Sequence, residues 1–285
     1  MATPLVEKAP AKINLTLRVL GRRADGYHEL ESLVAFADLA DTLTLQPGDA
    51  VGLDVSGPFA AASGNATDNL VLKGAAALGQ RVSGLKAGHF LLDKHIPVAA
   101  GIGGGSADAA AALRLLARAN DMSADDARLM DAARVVGADV PVCLASKACI
   151  MRGVGEQLSP PLDLPRLPAV LVNPGVALGT RDVFAKFNGP RGGPPLGDVP
   201  NEPRELITFL EKHGNDLAAP AIACAPVIET VLAELYDAPG SLLARMSGSG
   251  ATCFALFASA GEAAAAAWLV KNKHKDWWTT AATIG

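Results

Sequence analysis

Residues 13–19 (Ile-Asn-Leu-Thr-Leu-Arg-Val) alternate strictly between apolar and polar, the period-two pattern of a half-buried strand. Lys12 and Asn14, two positions apart, fall on one face of it. Residues 21–28, polar and bracketed by glycine, read as a loop, and residues 41–45 alternate again before Gln46-Pro-Gly stops them. Helical periodicity covers residues 69–80, and 89–92 form a short strand. Two helices follow, from about Asp108 to Asn120 and from a Ser123 cap to Val136. After a strand over 148–151, prolines at 160, 161, 165 and 168 mark a domain boundary or crossover. Residues 169–172 are an apolar strand, and 188–203, rich in Pro and Gly, predict an irregular surface loop. Helices at 204–213 and 227–235, a strand at 253–257 and an Ala-rich helix at 261–271 complete the pattern. Such an order is that of an α+β chain in two lobes.

Composition narrows the class. The chain has 285 residues, half of them hydrophobic and under a fifth charged, which describes a globular protein. A net charge of −4 counts against a nucleic-acid coat or an anionic membrane as partner. Cys143, Cys149, Cys224 and Cys253 lack paired metal spacing, and a chain of this size needs no disulfide staples, so reduced thiols are expected. The first residues hold no apolar signal core, and no run approaches the ~18 apolar residues of a spanning helix. The expectation is a soluble, cytoplasmic protein, monomer or weak homodimer, acting on a small molecule.

The densest chemical signal is residues 97–107, Pro-Val-Ala-Ala-Gly-Ile-Gly-Gly-Gly-Ser-Ala, with glycine at 101, 103, 104 and 105. Ser106 and Asp108 then open Ala- and Leu-rich helix material. A backbone without Cβ atoms leading into a helix N-terminus gathers unbonded N–H groups and the positive dipole end at one spot. Phosphate is the usual occupant of such a spot. The alternative, a flexible turn between strand and helix, needs one or two glycines rather than four. No lysine follows Gly105, so this is not a Walker A loop, and Ser106 stands where a dinucleotide fingerprint needs Gly or Ala.

Three other segments carry candidate chemistry. Lys12 near a phosphate site would stabilise charge; otherwise it is an exposed strand lysine. Asp139, in Gly137-Ala-Asp-Val-Pro141, lies between a glycine that ends one helix and a proline that stops its continuation. A carboxylate fixed there can act as a general base toward a hydroxyl, or merely brace an Asx turn. Ser247-Gly-Ser-Gly-Ala-Thr252 lets backbone approach the first glycine loop or a ligand; a tight hairpin or bulge makes the same demand.

Lys-x-Asn on a first strand, the glycine loop before a helix, Gly-Ala-Asp-Val-Pro and a late Ser-Gly-Ser-Gly-Ala-Thr together resemble the GHMP kinase superfamily. They stand in its motif order, from Ala9 to about Phe257. Pro10-Ala-Lys12-Ile-Asn14-Leu, Arg23-Ala-Asp-Gly-Tyr27-His28-Glu-Leu and Gly137-Ala-Asp-Val-Pro141 are similar to its branch acting on cytidine diphosphate methylerythritol. The resemblance implies an α+β, two-lobe fold: a ribosomal-protein-S5-domain-2-like ATP lobe over 1–152 and a ferredoxin-like α/β sandwich over 153–285. It implies ATP and Mg²⁺ as cofactors and phosphorylation of the acceptor's 2-hydroxyl.

By the same resemblance Pro97, Val98, Ala99, Ala100, Gly101, Ile102, Gly103, Gly104, Gly105, Ser106 and Ala107 wrap the phosphates, with Ser106 also placing the metal. Lys12 and Asp139 match the catalytic pair: Asp139 takes the hydroxyl proton, and Lys12 keeps it ionised and stabilises developing charge. Asn14 and Asp139 count among the acceptor contacts. Tyr27 and His28 match cytidine-binding residues, Tyr27 by stacking and His28 by hydrogen bonds to the cytosine edge. Phe184 is placed like the second stacking aromatic, sandwiching the base with Tyr27; Phe187 is its rival, and a core aromatic on a helix its plain alternative. Lys94 and Asn69 are further candidates for phosphate or adenine contacts. Residues 188–203 depart from the pattern as an insertion. Two rival readings stand: a superfamily kinase for homoserine or mevalonate, which offers Tyr27 and His28 no base, and a non-catalytic nucleotide-binding relative, which has no use for Lys12 and Asp139 together.

Overall fold

The computed structural model describes residues 3–189 and 195–285, so part of the expected loop, 190–194, lies outside the described residues. In chain order the elements are β1 (Leu5–Asn14), β2 (Arg18–Arg22), β3 (His28–Pro47), β4 (Gly52–Ser56), α1 (Leu70–Gly79), β5 (Gly88–Asp93), α2 (Gly104–Ala119), α3 (Ala127–Val136) and α4 (Val140–Ala145). Then come β6 (Cys149–Gly153), β7 (Gln157–Leu158), β8 (Leu167–Asn173), α5 (Thr180–Lys186), α6 (Pro203–Lys212), α7 (Ala218–Cys224), α8 (Val227–Tyr236), β9 (Ser241–Met246), β10 (Cys253–Phe257), α9 (Ala260–Lys273) and β11 (Trp278–Ile284). They form two compact units that interleave along the chain. The first gathers Met1–Lys12, Leu39–Val98 and Gly103–Ser146; the second gathers Ile13–Asp38, Ala99–Ile102 and Lys147–Gly285.

In the first unit the second half of β3 pairs antiparallel with β5, from Thr42 opposite Asp93 to Pro47 opposite Gly88, and β5 pairs parallel with β4. Helix α2 packs against α1, α3 and α4. Its alanines explain how: Ala107 and Ala109 through Ala112 are all buried, and they permit close approach. Opposite them, a Cβ on Gly74 of α1 would lie 3.4 Å from the Ala109 carbonyl. Helix α2 starts at Gly104, four residues before the expected Asp108. Helix α3 starts at Ala127 under an Asp126 cap, because the Ser123 hydroxyl is bonded to Asp125 instead. Pro141 does not stop a helix but sits in the first turn of α4, where a missing N–H costs nothing.

In the second unit β11, β8, β10 and β9 form an antiparallel sheet, with Ala255 of β10 opposite Val170 of β8 and Ala244 of β9. Every residue of β10 is buried, as its unbroken apolar run requires of a central strand. Helices α8 and α9 pack on this sheet, and Val170, Val172, Val231, Leu235, Phe257 and Val270 belong to the core beneath them. Helix α9 begins in a capping box between Ser259 and Glu262. The first half of β3 pairs with β2 and β6. The alternation at 13–19 is not one half-buried strand: it straddles the end of β1 and the start of β2, and residues 13–17 are all buried. Residues 195–202 hold no helix or strand, yet Leu196 is buried rather than on the surface, because Glu31 Oε2 accepts its N–H at 2.8 Å.

All four cysteines are free thiols, and burial pushes Cys143 up to about 12 and Cys149 up to about 11. Among the described residues no helix is long and apolar enough to cross a membrane.

Candidate active site

Gly103, with φ +65°, caps α2 in the left-handed conformation without any side-chain cap. The Ala107 N–H is the first to bond back, to the Gly103 carbonyl at 2.8 Å, so the amides of Gly104, Gly105 and Ser106 lead the helix without intrahelical partners. Ser106, half-buried, is the third helical residue. These donors sit at the positive end of a 16-residue dipole.

The four glycines have different reasons. A Cβ on Gly103 would lie 3.1 Å from the Lys12 Cβ, and one on Gly104 would lie 2.9 Å from Ile96 Cγ2 and 3.1 Å from Lys94 Nζ. Gly101, in the second unit, has φ +76°, and its Cβ would meet the Gly250 carbonyl at 2.4 Å. Gly105 is exposed, its φ lies outside the left-handed range, and its Cβ would touch only Leu70 Cδ1 at 3.5 Å. The packing around residue 105 therefore does not itself require glycine there.

Lys12, at the end of β1, is buried rather than exposed, and its Nζ donates to Asp139 Oδ2 at 2.8 Å. Asp139 is the N-cap residue of α4 but makes no side-chain cap bond, so its carboxylate is turned to Lys12 and is 35 % exposed. A buried ammonium holding a solvent-reaching carboxylate beside a phosphate-type helix terminus can orient a base and stabilise an oxyanion.

Lys94 is not a free phosphate contact. Its ammonium is buried between Asp41 Oδ2 and Asp108 Oδ2, the latter at 2.7 Å. Asp41 Oδ1 also accepts the N–H groups of His95 (2.5 Å) and Ile96 (2.8 Å), fixing the strand exit that leads to the glycine loop. Burial pushes the Asp108 carboxyl up to about 7, with Lys94 pulling it down and Asp41 pushing it further up. Asp108 therefore does not open α2; it lies within the helix, buried, as the partner of Lys94. A lone acid inside an Ala-rich helix was the signal for this. Asn69 caps α1, its Oδ1 accepting the Val71 N–H at 3.0 Å.

In the second unit Asn14 is buried, and its Oδ1 has no hydrogen-bond partner among the described residues. Its Nδ2 donates to Ser32 Oγ at 2.7 Å and its backbone N–H to Ser247 Oγ at 3.1 Å. Ser247 in turn donates to the Gly101 carbonyl at 3.2 Å, and the Thr252 N–H donates to the Ala100 carbonyl at 3.1 Å. The late glycine-rich element is thus a hairpin turn that also holds the carbonyls of Ala100 and Gly101. Tyr27 is 65 % exposed, at the tip of the β2–β3 hairpin. Phe184, on α5, stacks on His28 with centroids 4.8 Å apart and planes at 21°, while Phe187 meets His28 edge-on at 6.4 Å. Phe184 thus lies stacked on His28, its ring partner in this structure.

Residues 69–147 match the family described as GHMP kinases N terminal domain, and residues 200–272 match GHMP kinases C terminal. A 4-diphosphocytidyl-2-C-methyl-D-erythritol kinase of Rhodopseudomonas palustris (strain BisB18) is 59% identical over 292 residues, covering 99% of this chain and 95% of its own. A crystal structure of 4-(cytidine 5'-diphospho)-2C-methyl-D-erythritol kinase aligns with a TM-score of 0.81 and 35% identity over 99% of both chains. Homoserine kinase from Cytophaga hutchinsonii, with a TM-score of 0.75 and 19% identity over 100% of this chain and 95% of its own, shares the fold. The chain belongs to the GHMP kinase family, and within it to the 4-diphosphocytidyl-2-C-methyl-D-erythritol kinases.

Proposed function

We propose that the protein transfers the γ-phosphoryl group of ATP to the 2-hydroxyl of 4-diphosphocytidyl-2-C-methyl-D-erythritol, giving the 2-phosphate and ADP in the non-mevalonate route to isoprenoid precursors. The observation that carries this reading is the 2.8 Å contact of Lys12 with Asp139, with Gly103 lying on the Lys12 stem. Phosphoryl transfer leaves little covalent work to a protein, so positioning and charge carry the rate. The leading amides of α2 hold the phosphates. Asp139, partly exposed, accepts the proton of the attacking hydroxyl. Lys12 fixes that carboxylate and stabilises the charge that develops on the attacking oxygen.

The residues present fit a Mg²⁺ held chiefly by the nucleotide. Ser106 offers one hydroxyl beside the free amides, and the described residues contain no cluster of three or more acids, histidines or cysteines. Mg²⁺ commonly takes few protein ligands beside phosphates and waters, and when bound it offsets phosphate charge. The second unit supplies the acceptor's base site. Tyr27 offers an exposed ring, His28 offers ring nitrogens, and Phe184 offers a face that a cytosine takes in place of the imidazole. In this reading residues 1–152 form the ATP-binding domain and 153–285 the C-terminal domain.

The test is ADP release from ATP measured in parallel with the cytidine-diphosphate acceptor, homoserine and mevalonate. Turnover confined to the first is expected; comparable turnover of homoserine or mevalonate overturns the reading.

A further inference from the structure

Helix α2 carries one side chain that reaches both elements bearing the Lys12–Asp139 pair. On β1, Arg114 Nε donates to Glu7 Oε1 at 2.9 Å and Nη2 to the Lys8 carbonyl at 2.9 Å. At the far end of α4, Nη1 donates to the Cys143 carbonyl at 2.8 Å, and to the Leu144 carbonyl and Ser146 Oγ at 3.3 Å each. A cation on the last carbonyls of a helix is favourably placed. From Lys8 to Lys12 the strand runs four residues, about 13 Å. From Cys143 back to Asp139 is one helical turn, closed by the Cys143 N–H on the Asp139 carbonyl at 3.1 Å. Strand and helix are thus joined twice: by the guanidinium at one end and by Lys12 on Asp139 at the other. A planar fork with donors in fixed directions holds two backbones in register in a way a single ammonium does not.

We propose that Arg114 is a positioning residue for phosphoryl transfer, setting the register of β1 against α4 and so holding Lys12 on Asp139. The proposal rests on the reading of Lys12 and Asp139 as the reacting pair. Arg118, one turn along α2, provides the comparison: it donates to the Val6 carbonyl at 3.1 Å and Glu7 Oε2 at 2.8 Å, both on β1.

The experiment compares Arg114→Met, Arg114→Lys, Arg118→Met, Asp139→Asn and the double variant Arg114→Met/Asp139→Asn by steady-state ADP release and by Tm. Arg114→Met is expected to lower kcat by roughly 10–100-fold with KM for ATP within about threefold, the signature of a misplaced reacting group. Arg114→Lys should recover part of the loss, because an ammonium reaches one element but not both. Arg118→Met should keep kcat within about twofold whatever its Tm. The double variant should be at most about threefold slower than Asp139→Asn, since a base already removed cannot be misplaced.

A kcat for Arg114→Met within about twofold of the parent, or losses that multiply in the double variant, overturns the proposal. Should Arg114→Met fail to fold, Arg114→Lys with parental kcat does the same. Asp139→Asn keeping more than about half the parental turnover overturns the reading of the pair and this proposal with it; Asp139→Asn inactive beside a fully active Arg114→Met overturns this proposal alone.

Discussion

Gly105→Ala separates a phosphate cradle from a structural turn. In the free protein the new methyl group meets only Leu70 Cδ1, at 3.5 Å, in an ordinary backbone conformation. Alanine loses less conformational freedom on folding than glycine, so the variant should be more stable by about 0.5–1 kcal/mol. For a chain of this size that raises Tm by about 1–4 °C. The same methyl group stands on the second helical residue, among the amides left without intrahelical partners. If phosphates are bound there, they must shift or lose donors. Each hydrogen bond to a charged phosphate that is lost is worth about 1.5–3 kcal/mol, or roughly 10–10²-fold in affinity. Thermal melting and calorimetric titration with Mg-ATP read the two effects separately. Gly101→Ala is the contrasting variant: it forces a left-handed alanine, about 1–2 kcal/mol, and drives its Cβ onto the Gly250 carbonyl at 2.4 Å, so it should lose stability outright. A Gly105→Ala protein that melts higher and binds ATP as tightly as the parent refutes the cradle.

Lys12→Met keeps much of the stem and removes the charge, so single-turnover rates should fall at least ~10²-fold; a variant that loses only Tm would make Lys12 a structural lysine. Because burial raises Asp108 from its ordinary 3.8 to about 7, folding takes up a proton. The associated stability is complete below about pH 4 and is lost as pH rises through 7. Asp108→Asn should flatten Tm against pH across that window; parallel curves for parent and variant would show that Asp108 does not titrate there. Tyr27→Ala and Phe184→Ala should each weaken acceptor binding by roughly 1–3 kcal/mol while ATP affinity stays put. Isothermal titration decides this, and weakened ATP would move the base site elsewhere.

What was legible in the sequence follows from how local each signal is. The α1 boundaries, the all-apolar β10 and the Ser259-capped α9 are set by nearby residues, and residue patterns found all three close to where they stand. Strand β11 was invisible, because Trp-Thr-Thr-Ala-Ala-Thr-Ile shows no strong alternation and becomes a strand only by lying in register along β8. The 13–19 alternation misled for a related reason: Asn14 and Thr16 look like a solvent face, but they are buried, with Asn14 Nδ2 donating to Ser32 Oγ and Thr16 Oγ1 accepting the Leu33 N–H from β3. Lys12, Asp139 and the glycine loop were readable as motifs. The commitment of Lys94 to Asp41 and Asp108 was not, since its partners lie 53 and 14 positions away.

The site's economy lies in α2. A helix buried on most of its circumference must be narrow, and its run of alanines makes it so. The polar side chains left on it then have to find partners: Asp108 binds Lys94, and Arg114 and Arg118 share Glu7 of β1. In the proposed reading the leading amides receive the phosphates, while Asp108 holds Lys94 and Arg114 holds β1 and α4. On that proposal the phosphate site, the loop support and the Lys12–Asp139 pair are referenced to one helix axis instead of to each other. The proposal therefore expects a residue distant from any substrate to govern the rate, and a larger side chain in the alanine run to disturb binding and chemistry together: moving the helix would move all three reference points at once.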